Sequence, residues 1–308
     1  RVQEIDILRG LAILLMVLSG LQPSGNLPAW MYHAQTPPPS MNHDPNVFGI
    51  TWVDLVFPLF IFSMGASMAL VMRRKKEQGI KNGSLAIGIV KRYLSLLFFA
   101  IYVMHVNPFV ISERPGPAAW GLSLIMFVLM FAIWGRLPAQ LSKRKDFMLR
   151  SAGTVVAVII LSRIHFGDGI GFSLYRSNII LFVLANLALG GGILWLFFSG
   201  RPIWAVSFVM CLIMMRLIIV NAGSGLVEWV NTMTTRIPVQ YIWEKHITTD
   251  RIHLVQWTYD WSWMFKWTSL KYLLILIPAG IVGDMIYNER TNTDQWRQTI
   301  LSNKKYGL

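Results

Sequence analysis

The amino-acid sequence predicts an all-α membrane protein, a polytopic bundle of about eight transmembrane helices. Hydrophobic residues make up 54% of the 308 residues and charged residues only 14%, against about 25% charged residues in soluble domains. Apolar runs of about 17 to 22 residues recur along the chain, which is the length that spans a hydrocarbon core of about 30 Å. A lipid-exposed backbone must satisfy its own hydrogen bonds, so these runs are expected to be helices.

The apolar runs also predict the organisation of the chain, which we expect to form one domain over residues 1–308. The polar, basic end of the sequence suggests that the natural protein continues into further helices. The predicted spans lie at about 5–22, 52–72, 85–106, 117–134, 149–164, 178–198, 203–222 and 269–287. The expected external loops are about 23–51, 107–116, 165–177 and 223–268, and the cytoplasmic segments about 73–84, 135–148, 199–202 and the tail 288–308.

The basic residues predict how the helices are oriented. The formal net charge is +13, but the basic residues concentrate in alternate loops, as the positive-inside rule requires. This placement excludes a nucleic-acid-binding surface as the source of the charge. It puts both termini in the cytoplasm and His33 on the external side. The residues of this pattern are Arg73, Arg74, Lys75, Lys76, Lys81, Lys91 and Arg92, then Arg136, Lys143, Arg144, Lys145 and Arg150, then Arg201, Arg290, Arg297, Lys304 and Lys305.

His33 and Asp54 are the candidate catalytic residues. His33 follows Trp30 and Tyr32 at the predicted outer interface, where an imidazole can act as a general base or as a nucleophile that carries an acyl group. The alternative is an ordinary interfacial histidine in an aromatic belt. Asp54 lies where the second span enters the bilayer, and ionisable residues in such segments are functional hypotheses by default. The alternative is a helix N-terminal acid that the macrodipole favours.

Pro58 adds a reason to expect a polar cavity near Asp54. It lies four residues after Asp54 and has no N–H, so the carbonyl of residue 54 loses its helical partner. A kink there would leave a carbonyl and a carboxylate close together. The acid could then orient His33 or hold a substrate hydroxyl.

Other polar residues are compatible with several roles. Asp6 and Arg9 lie three apart on one helical face, either near a donor site or as a local ion pair. His33, His43, Asp44 and Asp54 match no compact ligand motif, so we expect no metal. Arg216 must face protein, water or an anion, with Asp284 as a candidate partner. We expect His105, His165, His246 and His253 to be interfacial or loop residues.

The predicted external loop 223–268 is rich in aromatic residues. Tryptophans at this density either anchor helices at the membrane interface or stack on sugar rings. These residues are Trp229, Trp243, Trp257, Trp261, Trp263 and Trp267, with Tyr241 and Tyr259.

Several short motifs resemble one known family. They are Asp6-Ile7-Leu8-Arg9-Gly10-Leu11-Ala12, Tyr32-His33-Ala34, Trp52-Val53-Asp54-Leu55-Val56-Phe57-Pro58 with Met64-Gly65, and more weakly Lys271-Tyr272-Leu273 with Gly283-Asp284. Together they resemble the heparan-alpha-glucosaminide N-acetyltransferase family in its bacterial, uncharacterised branch, and the opening motif is similar to that of the wider transmembrane acyltransferases.

The resemblance implies transfer of an acetyl group from cytoplasmic acetyl-CoA to an amino sugar or other glycan on the external side. His33 then matches the family's active-site histidine and Asp54 the acid of the following helix, and we expect both to be catalytic. We expect Asp6, Arg9 and Arg92 to bind acetyl-CoA, and Trp30, Tyr32 and Gln35 to bind the acceptor. Expected partners are the lipid bilayer, acetyl-CoA and the glycan, with a homo-oligomer left open. The competing class is a non-enzymatic transporter of a small molecule or glycan.

Overall fold

The structure is a computed structural model that describes residues 2–23, 25–44, 47–135, 143–164, 166–167, 169, 171–221 and 267–305. Helices are the regular structure of these residues, which confirms the predicted all-α class. Short 3₁₀ helices occur at Ala29–Met31 and Trp267–Tyr272. The α-helices of the described residues are α1 Gln3–Gly20, α2 Trp52–Glu77, α3 Asn82–Val106, α4 Pro108–Ile111, α5 Pro117–Trp134, α6 Lys143–Arg163, α7 Ile179–Phe198, α8 Pro202–Asn221 and α9 Leu273–Lys305.

Every predicted span coincides with a helix of the described residues. Four of these, α2, α3, α5 and α7, are long and apolar enough to cross a membrane, and Pro202–Met215 is a shorter apolar helix. They support an integral membrane protein. Several helices extend into predicted cytoplasmic segments: for example, α2 runs to Glu77, α6 begins at Lys143 and α9 runs to Lys305. The difference is largest at α9, where most of the predicted tail is helical. The polar residues after 287 continue the helix because few of them are helix breakers.

The chain divides into two compact units. The first comprises the described residues within Arg1–Tyr93, Asn186–Ile247 and Lys266–Leu308. Its centre is the packing of α2 on α9, which depends on close backbone approach. A Cβ added to Gly65 would lie 2.4 Å from the Leu276 carbonyl oxygen, and one added to Gly283 would lie 2.4 Å from the Ala66 carbonyl oxygen. Only glycine permits that separation.

In this unit α2, α7 and α9 run in the same direction. Along α9, the α2 contacts advance from Phe57 on Tyr272 to Ala66 on Gly283. The α7 contacts advance in the same way, from Gly191 on Leu276 to Trp195 on Gly280. Their C-terminal ends therefore share one side of the unit, where Lys76 donates to the Leu196 carbonyl at 2.7 Å. The start of α1 lies at that end, because Arg9 bonds to Ser67.

The second unit comprises the described residues within Leu94–Ala185 and Thr248–Phe265. Its core contains Tyr102, Ile111, Met126, Ile133, Ala157, Leu161 and Phe166. His105, which was expected to be interfacial or in a loop, lies one residue before the end of α3 and is fully buried. Its Nδ1 lies 2.7 Å from the Ile101 carbonyl oxygen, and its ring packs on Phe166 and Phe172. A backbone carbonyl and two aromatic rings make an imidazole compatible with the interior.

Some expectations fall outside the described residues. They concern residues 223–266 with their aromatic cluster, the histidines His165, His246 and His253, and the side chain of Arg216.

Candidate functional site

The segment before α2 is folded by bonds from side chains to the backbone. Tyr32 is buried, and its hydroxyl donates to the Pro23 carbonyl at 2.5 Å and accepts from the Leu27 N–H at 3.0 Å. The Thr51 hydroxyl donates to the Tyr32 carbonyl at 2.6 Å. These bonds hold His33, the next residue, beside the first turn of α2.

Asp54 uses its two carboxylate oxygens for different purposes. Oδ2 accepts the Thr51 N–H at 2.9 Å and the Ala34 N–H at 3.2 Å. The Thr51 bond is that of a helix-capping acid, which is the alternative that the sequence left open. Oδ1 lies 2.5 Å from Nδ1 of His33. The structural role and the contact with His33 therefore coexist on one carboxylate.

This geometry assigns the protons of the pair. A carboxylate only accepts hydrogen bonds, so Nδ1 of His33 carries the proton and donates to Asp54. The neutral imidazole then has its acceptor lone pair on Nε2, as a general base requires. The His33 side chain is 58% exposed and that of Asp54 19%. Nε2 of His33 is thus on an exposed side chain, while Asp54 is mostly covered.

The predicted acceptor-binding residues differ in their surroundings. Trp30 is exposed. Gln35 donates to the Gly49 carbonyl at 3.3 Å, which bonds the beginning of the loop to its end. Tyr32 has a buried ring and a hydroxyl that both donates and accepts, so its side chain shapes the loop.

A basic cavity of about 480 Å³ lies at the opposite end of α1 and α2. Asp6, Arg9 and Arg92, the three predicted acetyl-CoA residues, all line it. The structure thus brings together residues from α1 and α3 that are far apart in the chain. The remaining lining residues are Val2, Ile5, Ser67, Leu70, Val71, Arg74, Tyr287, Arg290 and Thr291.

The charges of this cavity favour an anion. The cavity lining contains four arginines, Arg9, Arg74, Arg92 and Arg290, but only one carboxylate, Asp6. Arg9 lies 3.6 Å from Asp6 and also bonds to the Ser67 hydroxyl. Guanidinium groups bind phosphate and carboxylate in bidentate geometry, so a cluster of them suits a multiply charged phosphate compound.

The structure does not bring the basic cavity and the His33–Asp54 pair together. Asp54 and Ser67 are 13 positions apart in α2, which is about 20 Å at 1.5 Å per residue. A ligand that joins the two places must therefore be long and thin enough to lie along the helices.

Sequence reasoning missed several residues of this arrangement. Thr51 has a recognisable signal, a threonine three residues before an acid at a helix start. Tyr287 and Arg290 had no such signal, since only the packing of α9 brings them to the basic cavity. There Arg290 lies 3.1 Å from Glu4 and lines the basic cavity.

Comparison with known proteins agrees with the motifs. The chain is 34% identical to the human heparan-alpha-glucosaminide N-acetyltransferase over 121 residues, which are 39% of this chain and 15% of that protein. The mouse enzyme of the same name is 35% identical over 120 residues, or 39% and 16%. The match thus spans less than a fifth of these relatives. No solved structure matches the chain.

The sequence model of one protein family covers nearly the whole chain. The family is described as a domain of unknown function, DUF5009, and it matches residues 1–286. The match confirms the resemblance that the motifs indicated, and the chain belongs to the DUF5009 family.

Proposed function

We propose that this protein is an integral-membrane acetyltransferase that moves an acetyl group from acetyl-CoA to an amino sugar or other glycan. The observation that carries the proposal is the His33–Asp54 contact of 2.5 Å at one end of α2, with the basic cavity at the other end. The similarity to two N-acetyltransferases supports the reaction class.

The orientation of the membrane protein follows from the charges. Arg73 to Lys76, Arg201 and Arg290 lie at the shared C-terminal side of α2, α7 and α9. The positive-inside rule supports a cytoplasmic location for this side, and we place the protein in a bacterial inner membrane. The basic cavity then opens towards cytoplasmic acetyl-CoA, while His33 faces the external acceptor.

The basic cavity suits the acyl donor. Coenzyme A carries several phosphate charges that should not enter hydrocarbon. Arg9, Arg74 and Arg92 would hold these phosphates, while the pantetheine arm extends along α2 towards Asp54. The cavity volume, about 480 Å³, falls in the range of about 300–1,000 Å³ that ligand sites occupy.

The His33–Asp54 pair suits the acceptor. The amine nitrogen attacks the thioester carbonyl carbon, forming a C–N bond as the C–S bond breaks. Nε2 of His33 takes the proton released by the nitrogen and passes it to the thiolate of coenzyme A. Asp54 holds Nδ1–H and stabilises the imidazolium while it exists. Such general-base help contributes about 10²–10⁴-fold to the rate.

The test is acetyl transfer in sealed proteoliposomes, with isotope-labelled acetyl-CoA on the cytoplasmic side and glucosamine on the external side. We expect labelled N-acetylglucosamine from the wild type, and a loss of at least 100-fold in His33→Ala with acetyl-CoA binding retained. His43→Ala is the matched control, because His43 is an exposed histidine of the same loop and should keep full activity.

Two results would contradict the proposal. Full activity of His33→Ala would remove His33 from the chemistry. Unmodified glucosamine crossing the vesicle membrane without acetylation would instead indicate a transporter. A single turnover without acceptor separates direct transfer from a covalent route, because only the covalent route leaves label on His33.

A further inference from the structure

Asn186 is a fully buried amide in the apolar helix α7, with 0% of its surface exposed. Its Nδ2 donates to the Ser269 hydroxyl at 3.4 Å. Its Oδ1 has no hydrogen-bond partner among the described residues. A buried acceptor without a donor costs free energy comparable to a lost hydrogen bond, so such a group calls for an explanation.

Asn186 lies at about the same level as Asp54 along the helix axes of the first unit. The rings of Phe57 and Tyr272 meet edge to face at 5.3 Å between centroids. Asp54 lies three residues before Phe57, and Ser269 three residues before Tyr272. These steps rise about 4.5 Å in an α-helix and about 6 Å in a 3₁₀ helix. Since α2 and α9 run in the same direction, Ser269 and its partner Asn186 lie at nearly the level of Asp54.

Another buried polar group lies at the same end of the unit. The indole Nε1 of Trp52, two residues before Asp54, is also buried without a partner among the described residues. Trp52 offers a donor and Asn186 an acceptor. A bound amide, which has both a carbonyl and an N–H, would complement either group.

We propose that Asn186 is a substrate-binding residue whose Oδ1 accepts a hydrogen bond from an N–H or O–H of a bound substrate. This inference rests on the proposed function. Two sources supply that donor: an amide N–H of the pantetheine arm, or the amine or hydroxyl of the sugar acceptor. In either case Ser269 fixes the orientation of the Asn186 amide.

The test compares Asn186→Leu with wild type in the proteoliposome assay. Leucine has a similar volume and cannot accept a hydrogen bond, so the substrate donor is left unpaired. We expect the KM for one of the two substrates to rise about tenfold, because leaving a buried donor unpaired costs free energy that corresponds to about that loss of affinity. A higher KM for acetyl-CoA assigns the pantetheine arm, and a higher KM for glucosamine assigns the acceptor.

Stability separates binding from a structural role. Asn186→Leu removes an unpaired buried oxygen but also the 3.4 Å bond to Ser269, so the two effects oppose each other and its thermal midpoint should stay close to that of wild type. Ser63→Ala is the matched control, because Ser63 is equally buried but donates within its own helix to the Phe60 carbonyl at 2.8 Å. Both KM values should be unchanged in Ser63→Ala. If Asn186→Leu does not insert into the membrane, Asn186→Ala replaces it, with the same expected rise in one KM.

Unchanged KM values for both substrates in Asn186→Leu would overturn the inference, since a buried water would then satisfy Oδ1. If the wild type transfers no label, the proposed function fails. The inference about Asn186 is then tested by calorimetric measurement of substrate binding. Weaker binding of acetyl-CoA or of glucosamine to Asn186→Leu than to wild type then supports it. Equal affinities, or no binding by the wild type, overturn it.

Discussion

Asp54→Asn is the most informative perturbation, because it keeps the shape of the side chain and changes only its protons and charge. In the native protein Oδ2 accepts two backbone N–H groups, of Ala34 and Thr51. The amide oxygen of the variant will stay on these donors. Its Nδ2 must then occupy the position of Oδ1, which lies 2.5 Å from Nδ1 of His33.

The expected loss in kcat follows from the change in the tautomer of His33. Two donors cannot face each other, so Nδ1 of His33 must lose its proton and accept from Nδ2 of the asparagine. The ring proton moves to Nε2, which can no longer act as a base. The expected loss in kcat is the general-base contribution of about 10²–10⁴-fold, or about 3–5 kcal/mol of activation free energy. The lost charge at the helix start should reduce the free energy of unfolding by only about 1 kcal/mol.

The assay is acetyl transfer with labelled acetyl-CoA, together with a thermal midpoint for each variant. Asp146→Asn is the matched control, because Asp146 is also an acid in the first turn of a helix, 3.0 Å from Nε of Arg150. It should lose a similar fraction of stability and keep its kcat. If Asp54→Asn is folded and retains kcat within about threefold of wild type, the reasoning about the His33 tautomer is refuted.

Two further predictions test the basic cavity and the helix packing. Arg9→Gln should raise the KM for acetyl-CoA about tenfold with little change in kcat, because one charge-assisted bond to phosphate is lost. Arg163→Gln, at the end of α6, is the control. If Arg9→Gln and wild type have equal KM values for acetyl-CoA, Arg9 is not part of the donor site. Gly65→Ala should lower the free energy of unfolding by about 1–3 kcal/mol, since its Cβ would lie 2.4 Å from the Leu276 carbonyl oxygen. Gly88→Ala meets nothing within 4 Å and should be neutral or stabilising in the same thermal melts, so equal midpoints for the two alanine variants would argue against close packing of α2 on α9.

The helix positions could be predicted because hydropathy is a local property. Each predicted span falls on a helix, and the span 117–134 coincides with Pro117–Trp134. The alternative for Asp54, a helix N-terminal acid that the macrodipole favours, was also visible, because the position of an acid at the start of an apolar run is a local signal. The structure shows the cap and the His33 contact together, because a carboxylate has two oxygens.

His105 shows where local reasoning fails. Its position at the end of α3 is compatible with a membrane interface, but its complete burial against Phe166 and Phe172 was not predicted. Whether a histidine is covered depends on which aromatic residues arrive from elsewhere in the chain. Hydropathy contains no information about which aromatic residues pack against a given histidine.

The sequence by itself determined the all-helical membrane class, the helix positions and the candidate residues His33, Asp54, Asp6, Arg9 and Arg92. Only the tertiary structure decided that Asp6, Arg9 and Arg92 share a basic cavity with Arg74 and Arg290, and that this cavity lies about 20 Å from Asp54 along α2. The physical reason is that apolar periodicity sets where a helix begins and ends. The choice of facing residues instead depends on close contacts such as Gly65 on Leu276, which form only between segments distant in sequence.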